Sequence, residues 1–148
     1  MEGDAMHKGL EKELQRFNRM QIYDIWNRVK SGEPLEGEEK VLGELMQAHT
    51  EYHAVWDKAD KLVNKKYDPE TDVNPFAHIA IDAAVVNQIE QRNPPEVRQV
   101  YNRLRAKGLS HLEAIHKIDL VFVEELWHVL KHRKPFDTAR YVKKVKRL

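Results

Sequence analysis

The chain has 148 residues, of which 41% are apolar, 25 are Lys or Arg and 24 are Asp or Glu. This length and apolar content suit one domain with a buried core, and we expect residues 1–148 to form a single domain. Because the charges nearly cancel, the composition argues against nucleic-acid binding, and the absence of cysteine excludes disulfides, thiolate metal sites and cysteine nucleophiles.

The N-terminal segment lacks the apolar run of a signal peptide, and no stretch approaches the length of a membrane span. We therefore expect a cytoplasmic protein that does not bind membranes. Within this segment, Leu10, Leu14, Phe17 and Ile25 follow a helical period. They predict a first helix from about residue 8 to 30.

A second helix is predicted over about 37–66. Its apolar stripe steps by three or four residues and includes Leu42, Leu45, His49, Tyr52, Trp56, Ala59 and Val63. On an ideal helix His49 and His53 diverge by only about 40°, so both imidazoles project to one side and could chelate a metal. Glu51 points about 200° away from His49, which predicts a place on the solvated face.

The third predicted helix begins at "NPF", where Asn74 can cap the helix and Pro75 can be its first residue, and it continues to about residue 92. It is apolar nearly all round, which predicts burial on most sides. His78 and Asp82 lie four residues apart on this helix. Their burial is costly unless another group satisfies them.

A short fourth helix is predicted to start at Pro94 and Pro95 and to end at Gly108. Ser110 then caps a fifth helix, and Glu113 completes a capping box. The predicted inner stripe of the fifth helix is Leu112, His116, Leu120, Val123, Trp127 and Leu130. A last short helix over about 136–146 leads into a basic tail.

Three predicted helices thus each carry a pair of polar residues at helical spacing. Antiparallel helices joined by short loops bring such pairs together inside a bundle, and Glu113 with His116 has the Glu-x-x-His spacing of di-iron bundles. We expect an all-α fold, an antiparallel four-helix bundle core with additional short helices. The candidate metal ligands are His49, His53, His78, Asp82, Glu113 and His116.

A structural role is the alternative for each candidate. His49 could be a core histidine bonded to a backbone carbonyl or to Tyr52, His53 a half-exposed side chain, and Glu113 only a capping residue. His78 could cap its helix, and Asp82 could be a surface acid. Three further residues on the fifth helix are left open as ligands: Glu124, Glu125 and His128.

Three segments together resemble a bacterial family, domain of unknown function eighteen-forty-one. They are "HTEYH" at 49–53, "NPFAHIAIDAAVVNQ" at 74–88 and "LEAIH" at 112–116, similar to the family's HPEYH-like, NPFLHLxLH-like and HEAxH-like motifs. The resemblance extends over most of the chain and implies no activity. This sequence has Thr50 in place of the proline, Asp82 in place of a second histidine and Leu112 in place of the first histidine of the third motif.

Imidazoles mixed with carboxylates suit Fe first, and also Zn, Ni or Mn, better than Ca or Mg. With carboxylate bridges the six ligands would form a di-metal, hemerythrin-like centre for oxygen chemistry, redox chemistry or hydrolysis, with dioxygen or a small molecule as ligand. Two alternatives are a non-catalytic metal or oxygen binder or sensor, and a metal-free helical interaction module. The sequence leaves the oligomeric state and the question of enzymatic activity open.

Overall fold

The computed structural model describes the backbone of residues 2–148 and the side chains of residues 9–148. Over this range the chain is all-helical and has no strand, which confirms the predicted fold class. None of the helices described is both long enough and apolar enough to cross a membrane. The α-helices are α1 (Glu2–Lys30), α2 (Gly37–Ala48), α3 (His53–Asp57), α4 (Pro75–Gln91), α5 (Pro95–Ala106), α6 (His111–His132) and α7 (Thr138–Val145).

Two compact units make up the chain, Met1–Ile79 and Ala80–Leu148. The division falls inside α4, so the first turn of this helix belongs to one unit and the rest of it to the other. The antiparallel four-helix bundle and the single domain over residues 1–148 stay predictions.

The C-terminal half of α1 contributes to the core of the first unit. Ile22 and Ile25 are 2% and 1% exposed, and Trp26 donates a hydrogen bond from Nε1 to Asp57 Oδ1 at 2.7 Å. The N-terminal half of α1 differs from the prediction. Its apolar residues are 58%, 59% and 71% exposed at Leu10, Leu14 and Phe17. A helical period defines an apolar face, but only the packing of another element buries that face.

The predicted second helix over 37–66 is not continuous. α2 ends at Ala48, and His49 departs from helical geometry with φ −87° and ψ 71°. A 3₁₀ turn over Thr50–Tyr52, the short α3 and a second 3₁₀ turn over Ala59–Leu62 follow. The break folds the chain back, because Trp56 Nε1 donates to the Met46 carbonyl at 3.2 Å. In a straight helix these two positions would lie about 15 Å apart along the axis.

α4 begins as the sequence predicts. The backbone N–H groups of Phe76 and Ala77 donate to Asn74 Oδ1 at 3.0 and 3.2 Å, and Pro75 is the first helical residue. Because the side chain of Asn74 satisfies N–H groups that have no partner inside the helix, it fixes the start of α4. That start sets where His78 and Asp82 lie on the helix.

In the second unit, α5 packs against α6 and α7. Ser110 caps α6 with the predicted capping box: its side chain accepts from the Glu113 N–H at 3.1 Å, and Glu113 Oε2 accepts from the Ser110 N–H at 2.8 Å. The hydroxyl of Tyr141 on α7 donates to Gln88 Oε1 on α4 at 2.7 Å. The predicted start and end of these helices are confirmed to within a few residues.

The prediction that the inner stripe of α6 is buried is wrong for four of its residues. Leu120, Val123, Trp127 and Leu130 are 73%, 40%, 60% and 74% exposed. The helix instead buries a neighbouring stripe, which consists of Ala114, Ile115, Ile118, Asp119 and Glu125. Because α6 is apolar on two faces, its period identifies both of them and cannot tell which one packs.

Candidate metal centre

His49 lies at the break after α2, and its side chain is only 2% exposed. Its Nδ1 lies 2.9 Å from Glu51 Oε1, and this hydrogen bond lowers the pKa of Glu51. When Nδ1 donates to the carboxylate, Nε2 is the nitrogen that could bind a metal, which is the common arrangement of metal-binding histidines. The prediction that Glu51 points away from His49 is wrong, because it assumed a continuous helix.

His78 packs against His49 in the first unit. The two imidazole rings meet edge to face, with centroids 4.9 Å apart. The ring of Tyr52 lies beside both of them, at centroid distances of 5.7 Å to His49 and 6.1 Å to His78. The break at His49 and the first turn of α4 therefore place two imidazoles side by side.

Asp82 follows His78 by four residues on α4, so the two side chains occupy the same side of the helix, with Cβ atoms about 5–6 Å apart. Asp82 is 0% exposed, and His78 is half-buried. In the second unit, His116 Nε2 on α6 lies 3.5 Å from Asp82 Oδ1, and the His116 side chain is 39% exposed. Asp82 is thus a buried acid, as the all-round apolar character of α4 predicted.

His49, His78, Asp82 and His116 each offer one ligand atom, and the four atoms lie within 4.8 Å of one another. Three imidazole nitrogens with one carboxylate oxygen suit Fe, Zn, Ni or Mn. Four of the six ligands predicted from the sequence thus form a His/Asp cluster that could hold a metal ion.

The other two predicted ligands, His53 and Glu113, lie outside this group. His53 Nε2 lies 2.9 Å from the Gln47 carbonyl, and its ring packs on Trp26 with centroids 4.7 Å apart. Glu113 is engaged in the capping box. The expectation that His53 projects beside His49 again assumed a continuous helix, whereas His53 begins α3 after the break.

The three residues that the sequence left open have other neighbours. Glu124 forms an ion pair with Lys144 at 2.5 Å, and Glu125 forms one with Arg140 at 2.7 Å. His128 stacks on His132, with ring centroids 5.7 Å apart. None of the three belongs to the cluster of four described above.

Asp119 is a residue of this region that the sequence reasoning missed. It lies three residues after His116 and is 5% exposed, and its two carboxylate oxygens accept no hydrogen bond from any donor group among the described residues. Burial, together with the neighbouring Asp82, raises the pKa of Asp119 to about 9. The sequence signal was an acid between two apolar residues, Ile118 and Leu120, one turn after a histidine. The predicted inner stripe of α6 was the wrong one, so Asp119 was not expected in the core.

Comparison with known proteins gives one match. A family model described as "Domain of unknown function (DUF1841)" matches residues 15–147. No curated protein and no solved structure matches the chain.

Proposed function

Since the chain belongs to the DUF1841 family, whose description names no activity, we propose a function from its site: the protein binds a divalent transition-metal ion through His49, His78, Asp82 and His116. The observation that carries the proposal is the gathering of four ligand atoms within 4.8 Å. They come from three separate segments of the chain: the break after α2, helix α4 and helix α6.

Physical chemistry favours a cation at this cluster. Two of its members, His49 and Asp82, are 2% and 0% exposed. Burial of a charged carboxylate is costly unless a positive charge compensates it, and a divalent ion provides more charge than a protonated imidazole. The carboxylate of Glu51 on His49 Nδ1 further supports a metal at Nε2, because it fixes the ring and raises its basicity.

Oxygen or redox chemistry is the use that we propose for the ion. Three imidazoles and one carboxylate would hold an iron ion, which would supply the chemistry for binding dioxygen or another small molecule. The His116 side chain is 39% exposed, so part of its ring reaches the surface, whereas its Nε2 is buried beside Asp82. Hydrolysis is the weaker alternative. Hydrolysis needs a general base, and the carboxylate of Glu113, which precedes His116 by three residues, is held in the capping box of α6.

A hemerythrin-like centre, with two iron ions inside an antiparallel four-helix bundle, is the finer form of this proposal. It would need a carboxylate shared by both ions, and Asp82 is the candidate because it is the acid of the cluster. Two iron ions per chain with visible charge-transfer bands would support this form. One ion per chain would instead support a centre with a single metal ion.

Element analysis of protein purified without chelator tests the proposal. We expect about one metal ion or more per wild-type chain, and loss of it in His116→Ala and Asp82→Asn. His53→Ala is the matched control: it removes a histidine four residues after His49 that lies outside the cluster, and it should keep the metal. Equal metal content in wild type, His116→Ala and Asp82→Asn would show that the assignment is wrong.

The competing functions predict different results. A non-catalytic binder or sensor would hold the ion but show no reaction with dioxygen or with reductant. A metal-free interaction module would contain no ion and would unfold at the same temperature with and without added metal.

A further inference from the structure

Cations are distributed unevenly along the chain. The segments 95–107 and 138–148, which contain α5 and α7, carry nine of the 25 Lys and Arg residues and one of the 24 Asp and Glu residues. The other residues carry 16 cations and 23 acids, which is a net charge of −7. The expectation against nucleic-acid binding rested on the net charge of the whole chain, and that value conceals this separation of charge.

Packing brings the two basic segments together in the second unit. α5 packs against α7, and Arg103 on α5 donates from Nη2 to the Lys146 carbonyl at 3.0 Å. Lys107 lies four residues after Arg103, and Lys143 lies three residues before Lys146, so each shares one side of its helix with the residue in this contact. We call the resulting group of cations the α5/α7 basic surface. It consists of Arg103, Lys107, Lys143, Lys146 and Arg147.

The cations of this surface have no acid to pair with. All five side chains are exposed, and within residues 9–148 none of them lies within ion-pair distance of a carboxylate. Two other cations of α7, Arg140 and Lys144, are paired with Glu125 and Glu124 on α6. The dipole of a helix favours a cation in its last turn, but the crowding of five like charges is unfavourable. The group therefore indicates a partner with several negative charges.

The two helices expose cations rather than large apolar side chains. Tyr141 and Val145 of α7 are 0% exposed, and α5 likewise buries Val97, Val100 and Leu104. Among the described residues, none of the exposed large apolar side chains belongs to α5 or α7. Protein interfaces have an apolar core and membrane-binding helices insert apolar side chains, whereas nucleic-acid interfaces are polar and positively charged. Of these partners, a nucleic acid fits the surface best.

We propose that the α5/α7 basic surface binds the phosphate backbone of nucleic acid without dependence on base sequence. Its Lys and Arg side chains donate to phosphate oxygens, and binding releases the counterions that surround the strand. The surface contains none of the four ligands of the metal centre. This inference is therefore independent of the proposed function.

Fluorescence anisotropy with labelled oligonucleotides of mixed sequence tests the proposal. The probes are RNA and DNA of one sequence, each as a single strand and as a duplex, and chelator is present so that no metal ion takes part in binding. We expect wild type to bind with a dissociation constant of about 1–100 µM at physiological salt, and more tightly at about 50 mM salt. Equal affinity for RNA and DNA would indicate contacts to phosphate alone, and tighter binding of RNA would add contacts to the 2′-hydroxyl.

The double variant Lys143→Gln with Arg147→Gln removes two charges from the surface. Neither side chain forms a hydrogen bond or an ion pair with another described residue, so the variant should keep its fold, as circular dichroism can check. Its affinity at about 50 mM salt should fall about 10- to 100-fold, and the slope of log affinity against log salt should become shallower by about 1–2.

Lys58→Gln with Lys61→Gln is the matched control, because it removes two exposed cations from the first unit. It should leave the affinity and the salt slope near the wild-type values. An equal loss in the control pair would show that only the net charge matters, and it would overturn the proposal.

Polyglutamate and vesicles that contain phosphatidylserine represent the other anionic partners. If either binds wild type at least as tightly as the oligonucleotides do, the surface is not a nucleic-acid site. Failure of wild type to bind any of the oligonucleotides at about 50 mM salt would likewise overturn the proposal. Neither result bears on the metal content of the protein, which tests the proposed function separately.

Discussion

Helix α6 carries two buried acids six residues apart, Asp119 and Glu125, and their surroundings are opposite. Glu125 is 1% exposed and accepts two hydrogen bonds from the guanidinium of Arg140, at 2.7 and 2.9 Å, and one from the Asp137 N–H at 3.3 Å. Asp119 has another acid, Asp82, beside it. The neighbour of Glu125 is a cation, whereas the neighbour of Asp119 is another acid.

The pKa values of the two acids differ in direction for this reason. The hydrogen bonds from Arg140 hold the pKa of Glu125 below its ordinary value, whereas burial and Asp82 raise the pKa of Asp119. A buried acid with a bidentate cation stabilises the fold, and a buried acid beside another acid is typical of a functional site. The contrast shows that burial alone does not identify a site; the charge of the neighbours does.

The largest effect that we expect comes from removal of the cation of the matched pair. Arg140→Leu leaves the carboxylate of Glu125 buried without its main partner, and the Tm should fall by about 8 °C. Thermal unfolding followed by circular dichroism measures it. The double variant Arg140→Leu with Glu125→Leu should recover most of the loss, and a Tm unchanged in the single variant would show that the pair contributes nothing.

The pH dependence of stability should differ in sign for the two acids when metal is removed with chelator. Because the pKa of Glu125 is lowered in the folded state, its contribution is present above the ordinary pKa of glutamate, about 4.3, and is lost as the pH falls through the folded value. Because the pKa of Asp119 is raised, the folded protein should lose stability as the pH rises from about 4 to about 9.

Urea unfolding at a series of pH values checks both slopes. Glu125→Gln should reduce the loss of stability on the acidic side, and Asp119→Asn should reduce the loss on the alkaline side. If the two variants have the same pH profile as wild type, the contrast between the two acids is wrong.

A third acid sharpens the comparison, because it is exposed and yet belongs to the centre. Glu51 has a 57% exposed side chain and is bonded to His49 Nδ1. Glu51→Ala should weaken metal binding about tenfold, since the ring of His49 loses the group that orients it. Metal titration of the purified variant measures this, and Glu51→Gln should recover part of the affinity through its amide oxygen.

The smallest effect concerns Glu113, an acid of α6 that we assign to helix capping alone. Ser110→Ala removes the other half of the capping box and should lower the free energy of unfolding by about 1 kcal/mol. Denaturant titration measures the change. Metal affinity should stay at the wild-type value, and a loss of metal in this variant would argue that the capping box and the metal centre are coupled.

Local chemistry determined much of this protein directly from its sequence. The cap of α4 by Asn74 and the capping box at Ser110 rest on hydrogen bonds between residues two or three positions apart. The all-helical class rests on apolar spacing and on backbone bonds between residues four positions apart. The spacing of His78 and Asp82 on α4 likewise needs only helical geometry. Such features are predictable because the interacting groups are neighbours in the chain.

Tertiary structure alone decided which residues surround the candidate ion. The chain breaks at His49 and folds back, so that Trp56 bonds to Met46. This break brings Glu51 to the His49 ring and places His53 elsewhere. The packing of α6 exposed Trp127 and buried Asp119, although its sequence offers two apolar faces. Both outcomes depend on contacts between residues far apart in the chain, and a periodic pattern carries no information about which partner covers which face.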